Sequence, residues 1–152
     1  MSIAPIALDH PDRKAAAKLV FDGVSKRFGR GPDSVLAVQR ADAYVGEGDF
    51  LCIVGPSGCG KSTLLNIVAG FETPSAGEVR LDGRLVDRPG AERGVVFQQG
   101  ALFTWMTVLE NVAFGLRARG VPAGQARDTA MAYLEMVGLK GFAKRYPYEL
   151  SG

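Results

Sequence analysis

Gly55-Pro56-Ser57-Gly58-Cys59-Gly60-Lys61-Ser62-Thr63 is the stretch that decides the fold, because it follows a G-x-x-x-x-G-K-[ST] pattern. Residues 51–54 before it, Leu-Cys-Ile-Val, are all apolar and predict a buried strand. After it, apolar residues recur at the spacing of one helix face, at Leu64, Leu65, Ile67 and Val68. The sequence therefore predicts a strand, a tight loop and a helix N-terminus in direct succession.

The residue types in this loop suit the phosphates of a nucleotide. Glycines at 55, 58 and 60 let the backbone take φ > 0 and bring its N–H groups close to an anion, and the following helix adds its positive end. Lys61 supplies a cation for the β- and γ-phosphates, and the Ser62 hydroxyl suits the accompanying Mg²⁺. The alternative is a glycine-rich turn that merely ends a strand. The loop residues predicted to bind nucleotide are Gly55, Ser57, Gly58, Cys59, Gly60, Lys61, Ser62 and Thr63.

Length and composition bound the class of protein. The chain has 152 residues, of which 47% are hydrophobic, enough for one domain with a core. Its net charge is +2 and its basic residues are scattered, so the sequence does not indicate a nucleic-acid partner. Residues 1–17 are interpreted as a polar, solvated tail, neither a secretory signal nor a membrane span. The two cysteines do not form a disulfide framework, which favours a reducing compartment.

Local signals predict a strand-rich first part and a helical second part. Asp82-Gly83 is typical of a two-residue hairpin turn, and Thr107-x-x-Glu110 is typical of a capping box that starts a helix. Pro122 opens a further helix, which Gly138 closes. The predicted strands are 18–24, 35–45, 78–81, 84–86 and a second short buried strand at 93–98, with a turn at 46–49. The predicted helix faces are Leu109, Val112, Ala113 and Leu116, then Ala126, Ala130, Leu134 and Val137.

Three further stretches resemble the ATP-binding cassette (ABC) ATPases. Val95-Val96-Phe97-Gln98, followed by Thr107 to Val112, resembles the family's Q-loop and the start of its helical subdomain. Glu149-Leu150-Ser151-Gly152 resembles the opening of its L-S-G-G-Q signature, and residues 24–29 lie where the family carries an adenine-stacking aromatic. The resemblance implies an α/β fold, an ABC-type P-loop NTPase core. Its antiparallel β-subdomain and core would occupy about 18–99 and its α-helical subdomain about 100–152.

The resemblance also implies roles for four residues outside the loop. Phe28 would stack on adenine, and Gln98 would reach Mg²⁺ and the attacking water, as both a catalytic and a metal-binding residue. Ser151 and the Gly152 backbone would contact the γ-phosphate of a nucleotide held by a second ATPase subunit. The competing interpretations are a core phenylalanine, a solvated glutamine and a plain helix N-cap serine.

Two protein partners follow from the same resemblance. ATP would bind between two copies of the ATPase subunit, and a membrane permease would dock beside the Q-loop. The protein is therefore expected at the cytoplasmic face of the inner membrane, as a peripheral subunit. The residues predicted to contact the permease are Ala101, Leu102, Phe103, Trp105 and Met106, since aromatic and methionine side chains favour interface centres. The alternative is that these residues pack in the core of the protein itself.

The expected activity is transport-coupled ATP hydrolysis. Residues 92–98, Trp105 and residues 111–116 resemble importers of nitrate, sulfonate or taurine. The alternatives are a soluble ABC ATPase of translation or DNA repair, and a non-hydrolysing nucleotide-binding or regulatory module. Because the chain stops inside the signature, we expect a C-terminal truncation that leaves out the Walker B strand and the switch histidine. The chain alone would then bind nucleotide at most.

Overall fold

A computed structural model of the chain describes residues 6–7, 17–98, 100 and 102–150. The chain divides into two compact units, Met1–Val95 and Val96–Gly152. The first unit carries a sheet and the helix that follows the glycine-rich loop, and the second is helical. Within the described residues, no helix is both long and apolar enough to span a bilayer.

The first unit is built on a five-stranded sheet with the order β1-β3-β2-β4-β5. Strand β1 pairs in parallel with β3, and the other neighbours pair antiparallel. The long central pair corresponds to two predicted strands. Val35–Val45 has the expected bounds, whereas the strand expected at 18–24 is observed as Leu19–Phe28 and so continues past its predicted C-terminal end. The strands are β1 (Ile6–Ala7), β2 (Leu19–Phe28), β3 (Val35–Val45), β4 (Ala76–Leu81) and β5 (Arg84–Leu85).

Two turns were correctly predicted from local chemistry. Asp82 and Gly83 join β4 to β5 with φ of 48° and 74°, the two left-handed residues that a tight hairpin turn needs. Before the glycine-rich loop, Asp49 closes the turn, because its N–H donates to the Gly46 carbonyl at 3.3 Å and its carboxylate accepts from the Gly46 N–H at 2.8 Å. Both turns are therefore encoded by the residues inside them.

Helix α1 (Lys61–Ala69) packs on the sheet and ends at Gly70, as predicted. Gly70 has φ of 81°, and its N–H donates to the Ile67 carbonyl at 3.1 Å. The helix buries Leu64 and Ile67 against strand residues. Burial of these side chains fixes where the helix begins, and so where the loop must turn. The buried strand residues of this core are Phe21, Val24, Val38, Ala41, Ala43 and Val79.

Three predictions about extended segments were wrong. Residues 51–54 form no strand, because no backbone in the described part of the chain pairs with them. They are buried on one side only: Leu51 and Ile53 pack against the core, while Val54 is 87% exposed. Residues 93–98 also form no strand, and Val96 is 99% exposed. Ile6–Ala7, expected in a solvated tail, pairs with β3 instead.

The second unit packs two helices, α2 (Val108–Ala118) and α3 (Ala123–Met136). Thr107 caps α2 with the predicted capping box: its hydroxyl accepts from the Glu110 N–H at 3.3 Å, and the Glu110 carboxylate accepts from the Thr107 N–H at 2.7 Å. The predicted faces are largely correct, although Val112 and Val137 are exposed. Single-turn 3₁₀ helices follow at Lys140–Phe142 and Pro147–Glu149.

Candidate functional site

The glycine-rich loop turns into α1 through two left-handed glycines. Gly58 has φ of 75° and Gly60 has φ of 100°, a region that side chains with a Cβ rarely adopt. Gly60 is the N-cap of α1, and its carbonyl accepts the first helical hydrogen bond, from the Leu64 N–H at 3.0 Å. Conformational freedom thus lies where the loop turns into the helix, at Gly60, a fixed glycine of the pattern, and at Gly58, a variable position of it.

A third glycine, Gly55, has little space beside it for a side chain. A Cβ built on Gly55 would lie 2.8 Å from the Cys59 sulfur, closer than side-chain atoms normally approach. Cys59 is itself 7% exposed and is a free thiol. The Cys59 side chain is therefore packed against the start of the loop at Gly55.

Lys61 extends its ammonium group back over this curved backbone. Its Nζ donates to the Gly55 carbonyl at 2.8 Å and to the Pro56 carbonyl at 2.7 Å. The Cys59 sulfur lies 3.6 Å from the same nitrogen. The cation is thus held on the loop rather than extended into solvent, in the position from which it can meet an anion that enters the curve.

The electrostatics of the loop favour a polyanion. The first N–H groups of α1 have no acceptor within the helix, and its first turn contains no acidic residue. Ser57, Gly58 and Ser62 are exposed. An incoming phosphate would therefore find open backbone donors, a helix N-terminus and the Lys61 ammonium on one face.

The donor set suits Mg²⁺ bound through phosphate. Among the described residues, no group of three or more His, Cys, Asp or Glu side chains could hold a metal by itself. Mg²⁺ commonly keeps its waters and binds through substrate phosphates with one or two protein ligands. The Ser62 hydroxyl, exposed in the first turn of α1, fits that role.

The other predicted site residues lie apart from the loop in sequence. Phe28 ends β2, is 40% exposed and has the Lys26 ammonium 4.9 Å from its ring centre, so it is not a core residue. Gln98 is exposed and belongs to the second unit. Ser151 and Gly152 lie outside the described residues. The structure therefore brings together the loop residues 55–63, and the nucleotide-binding roles of these and of the other residues stay predictions.

The predicted docking residues differ in how exposed they are. Trp105 is 71% exposed and Leu102 is 56% exposed, whereas Phe103 and Met106 are half-buried. Phe103 is held between Trp105, at a centroid distance of 5.4 Å, and Phe114, at 4.6 Å. Ala101 lies outside the described residues.

Sequence reasoning missed the residue that shapes this segment, Asn111. Its side-chain carbonyl accepts from the Phe103 N–H at 2.8 Å. Its amide donates to the carbonyls of Phe103, Met106 and Thr107 at 3.0 to 3.1 Å. One side chain thus satisfies four backbone groups of an irregular turn. An asparagine four residues after a capping threonine was the available signal.

Comparisons with known proteins cover most of the chain. A profile of the ABC transporter family matches residues 38–152. The chain is 50% identical over 119 residues to the nitrate import ATP-binding protein NrtD of Synechocystis sp., covering 78% of this chain and 45% of that protein. It is 52% identical over 135 residues to the taurine import ATP-binding protein TauB of Roseobacter denitrificans, covering 88% and 50%.

Solved structures similar to this chain are also ATP-binding cassettes, at a lower sequence identity. The dimeric, post-hydrolysis structure of the ATP-binding cassette MJ0796, bound to ADP and phosphate, aligns with a TM-score of 0.76 and 32% identity. The alignment covers 88% of this chain and 63% of that one. This chain spans about half the length of the curated relatives it matches.

Proposed function

This chain belongs to the ABC transporter family and has the fold of a P-loop, ABC-type core, and from that membership we propose that it is the nucleotide-binding part of an importer ATPase. It would bind MgATP in the loop formed by residues 55–63, and the whole protein would hydrolyse ATP to drive uptake. Relatives named for import support this function over a soluble ATPase of translation or DNA repair.

The observation that carries the proposal is the position of the Lys61 ammonium. It rests on the carbonyls of Gly55 and Pro56, over a backbone curved by Gly58 and Gly60. A phosphate entering the curve would replace those carbonyls as the partner of the ammonium, and the exposed loop amides would donate to the same oxygens. Ser62 would bind Mg²⁺, which supplies charge neutralisation on the β- and γ-phosphates.

Four residues outside the loop complete the proposed site. Phe28, which is 40% exposed, would stack on adenine, since an aromatic face offers apolar contact to a base. Gln98 would orient the attacking water and reach Mg²⁺ through its side-chain carbonyl. Ser151 and Gly152 would contact the γ-phosphate bound by a second copy of the subunit. These roles rest on the position of each residue in the family pattern.

The proposed partners are a second ATPase subunit and a membrane permease. The dimeric MJ0796 structures support the first, and the import relatives support the second. Leu102 and Trp105 are the exposed members of the proposed docking group, with Ala101, Phe103 and Met106 beside them in sequence. The subunit would lie at the cytoplasmic face of the inner membrane. Its cargo would be a small anion such as nitrate, a sulfonate or taurine.

The direct test is a titration of the full chain with a fluorescent ATP analogue in the presence of Mg²⁺. Lys61→Ala removes a charged contact to phosphate, so the affinity should fall about tenfold to a hundredfold. Lys140→Ala is the matched control, because Lys140 is an exposed lysine that pairs with Glu135 in the second unit. Equal affinity for wild type and Lys61→Ala would refute the phosphate-loop assignment.

A further inference from the structure

A shallow groove in the second unit is unrelated to the nucleotide loop. It is a cavity of about 320 Å³ between α2, the N-terminal end of α3 and the segment that follows the first 3₁₀ helix of that unit. Its floor includes Ala113 and Ala143, which are 6% and 4% exposed, and the half-buried Leu109. The remaining lining residues are Thr107, Glu110, Arg117, Ala123, Arg127 and Lys144.

The charges around this floor are unbalanced. Arg117, Arg127 and Lys144 are all exposed, and Arg117 lies near enough to Glu110 to interact electrostatically with its carboxylate. Glu110 is the one carboxylate of the lining, and the Thr107 N–H and hydroxyl occupy it at 2.7 and 2.8 Å. Those hydrogen bonds hold the pKa of Glu110 below its ordinary value. The rim therefore carries three cations against one carboxylate, an excess of two positive charges.

The groove is preformed by backbone hydrogen bonds. The Leu109 N–H donates to the Ala143 carbonyl at 3.0 Å, and the Val108 N–H donates to the Arg145 carbonyl at 2.8 Å. The first amides of α2, which the helix itself cannot satisfy, thus fix the wall that carries Lys144. Arg117 follows Ala113 by four residues on α2, so both face the same side. A rigid site costs little ordering free energy when a partner binds.

We propose that this groove binds an acidic, amphipathic peptide segment of a partner protein. Carboxylates of the segment would pair with Arg117, Arg127 and Lys144, and one or two apolar side chains would enter the alanine-floored recess. The volume lies at the lower limit of pockets that enclose small molecules, whereas it suits side chains that protrude from a peptide. The small floor residues allow the peptide backbone to approach closely, and the cations give it an orientation.

The test uses the full chain and a fluorescein-labelled peptide with leucine at every third or fourth position and glutamate at its other positions. Fluorescence anisotropy should show saturable binding that weakens as salt is raised from about 50 to 500 mM. The variant Arg117→Gln/Arg127→Gln/Lys144→Gln should bind about tenfold more weakly, since each exposed ion pair contributes modestly. The variant Arg30→Gln/Arg119→Gln/Lys140→Gln removes the same charge from exposed positions outside the groove, and should bind within about twofold of wild type.

A second variant tests the recess rather than the charge. Ala123→Phe places a large side chain at an exposed lining position, so it should block insertion without disturbing the buried floor. We expect it to weaken peptide binding about tenfold while leaving thermal unfolding of the protein unchanged. An uncharged peptide with glutamine in place of glutamate should bind more weakly than the acidic one.

Three outcomes would overturn the proposal. The first is no binding of the acidic peptide at concentrations up to about 1 mM. The second is equal loss of binding in the groove and control triple variants, which would mean that net charge alone attracts the peptide. The third is binding to phosphatidylserine vesicles that the groove variants reduce while Ala123→Phe has no effect, which would identify an anionic membrane surface instead.

Discussion

Gly70 and Gly138 offer a matched test of what a left-handed residue at a helix end contributes. Both follow helices, with φ of 81° and 74°. They differ in surroundings: a Cβ on Gly138 would meet nothing within 4 Å, whereas a Cβ on Gly70 would lie 2.3 Å from the backbone carbon and oxygen of Arg88. The same substitution therefore adds only backbone strain at one site, and strain plus a collision at the other.

The magnitudes follow from these contacts. Gly138→Ala should destabilise its unit by about 1–2 kcal/mol, the cost of a left-handed conformation for an alanine. Gly70→Ala carries the same strain and also forces the Arg88 backbone away, which adds about 1–3 kcal/mol of overpacking. Asparagine tolerates the left-handed region, so Gly138→Asn should be nearly neutral while Gly70→Asn keeps the collision. The sum of effects at Gly70 is about 2–5 kcal/mol.

Hydrogen exchange read by mass spectrometry separates the two sites in the full chain. Peptides from α1 should exchange about 5- to 150-fold faster in Gly70→Asn than peptides from α3 do in Gly138→Asn, each compared with wild type. Urea unfolding followed by circular dichroism gives the global free energy as a check. If both asparagine variants changed exchange by the same factor, the close approach of Arg88 to Gly70 would be refuted.

Two further predictions concern the cap of α2 and the cysteines. The pKa of Glu110 lies below its ordinary value of 4.5 because the Thr107 N–H donates to its carboxylate. This contact therefore stabilises the fold above about pH 4.5, and the stabilisation is lost as the pH falls through the lowered pKa. Glu110→Gln should therefore flatten the acid side of a plot of melting temperature against pH, and an unchanged acid side would contradict this assignment. Thr107→Ala should lower the free energy of unfolding by about 1 kcal/mol at neutral pH. Cys52 is exposed and Cys59 buried, so a maleimide should modify Cys52 first by peptide mass mapping, and faster labelling of Cys59 would show that the loop is more open than described.

Features with a local cause were predictable from the sequence. Asp82-Gly83 specifies its own turn, and Thr107 and Glu110 satisfy each other across one helical turn. Gly70 ends α1 because glycine adopts its positive φ without strain. The shape of the glycine-rich loop belongs to this group, since its glycines and Lys61 lie within one short stretch. In each case the residues that make the contact are neighbours in the chain.

Features that need a distant partner were not predictable. The apolar residues 51–54 and 93–98 indicate burial, but no sequence pattern says which backbone should pair with them, and no described segment does. The parallel pairing of Ile6–Ala7 with β3 joins segments about 35 residues apart, without a turn signal between them. The basic groove was missed for a similar reason, because α2, α3 and the segment near Lys144 each contribute only part of its lining.

The position of Trp105 determines what optical measurements on this protein can report. It is the single tryptophan of the chain, it lies in the helical unit, and it is 71% exposed beside Phe103. Its emission will therefore follow events around the turn that Asn111 holds, while the sheet and the glycine-rich loop contribute no indole signal of their own. Unfolding of the sheet should be followed with a probe introduced into that unit.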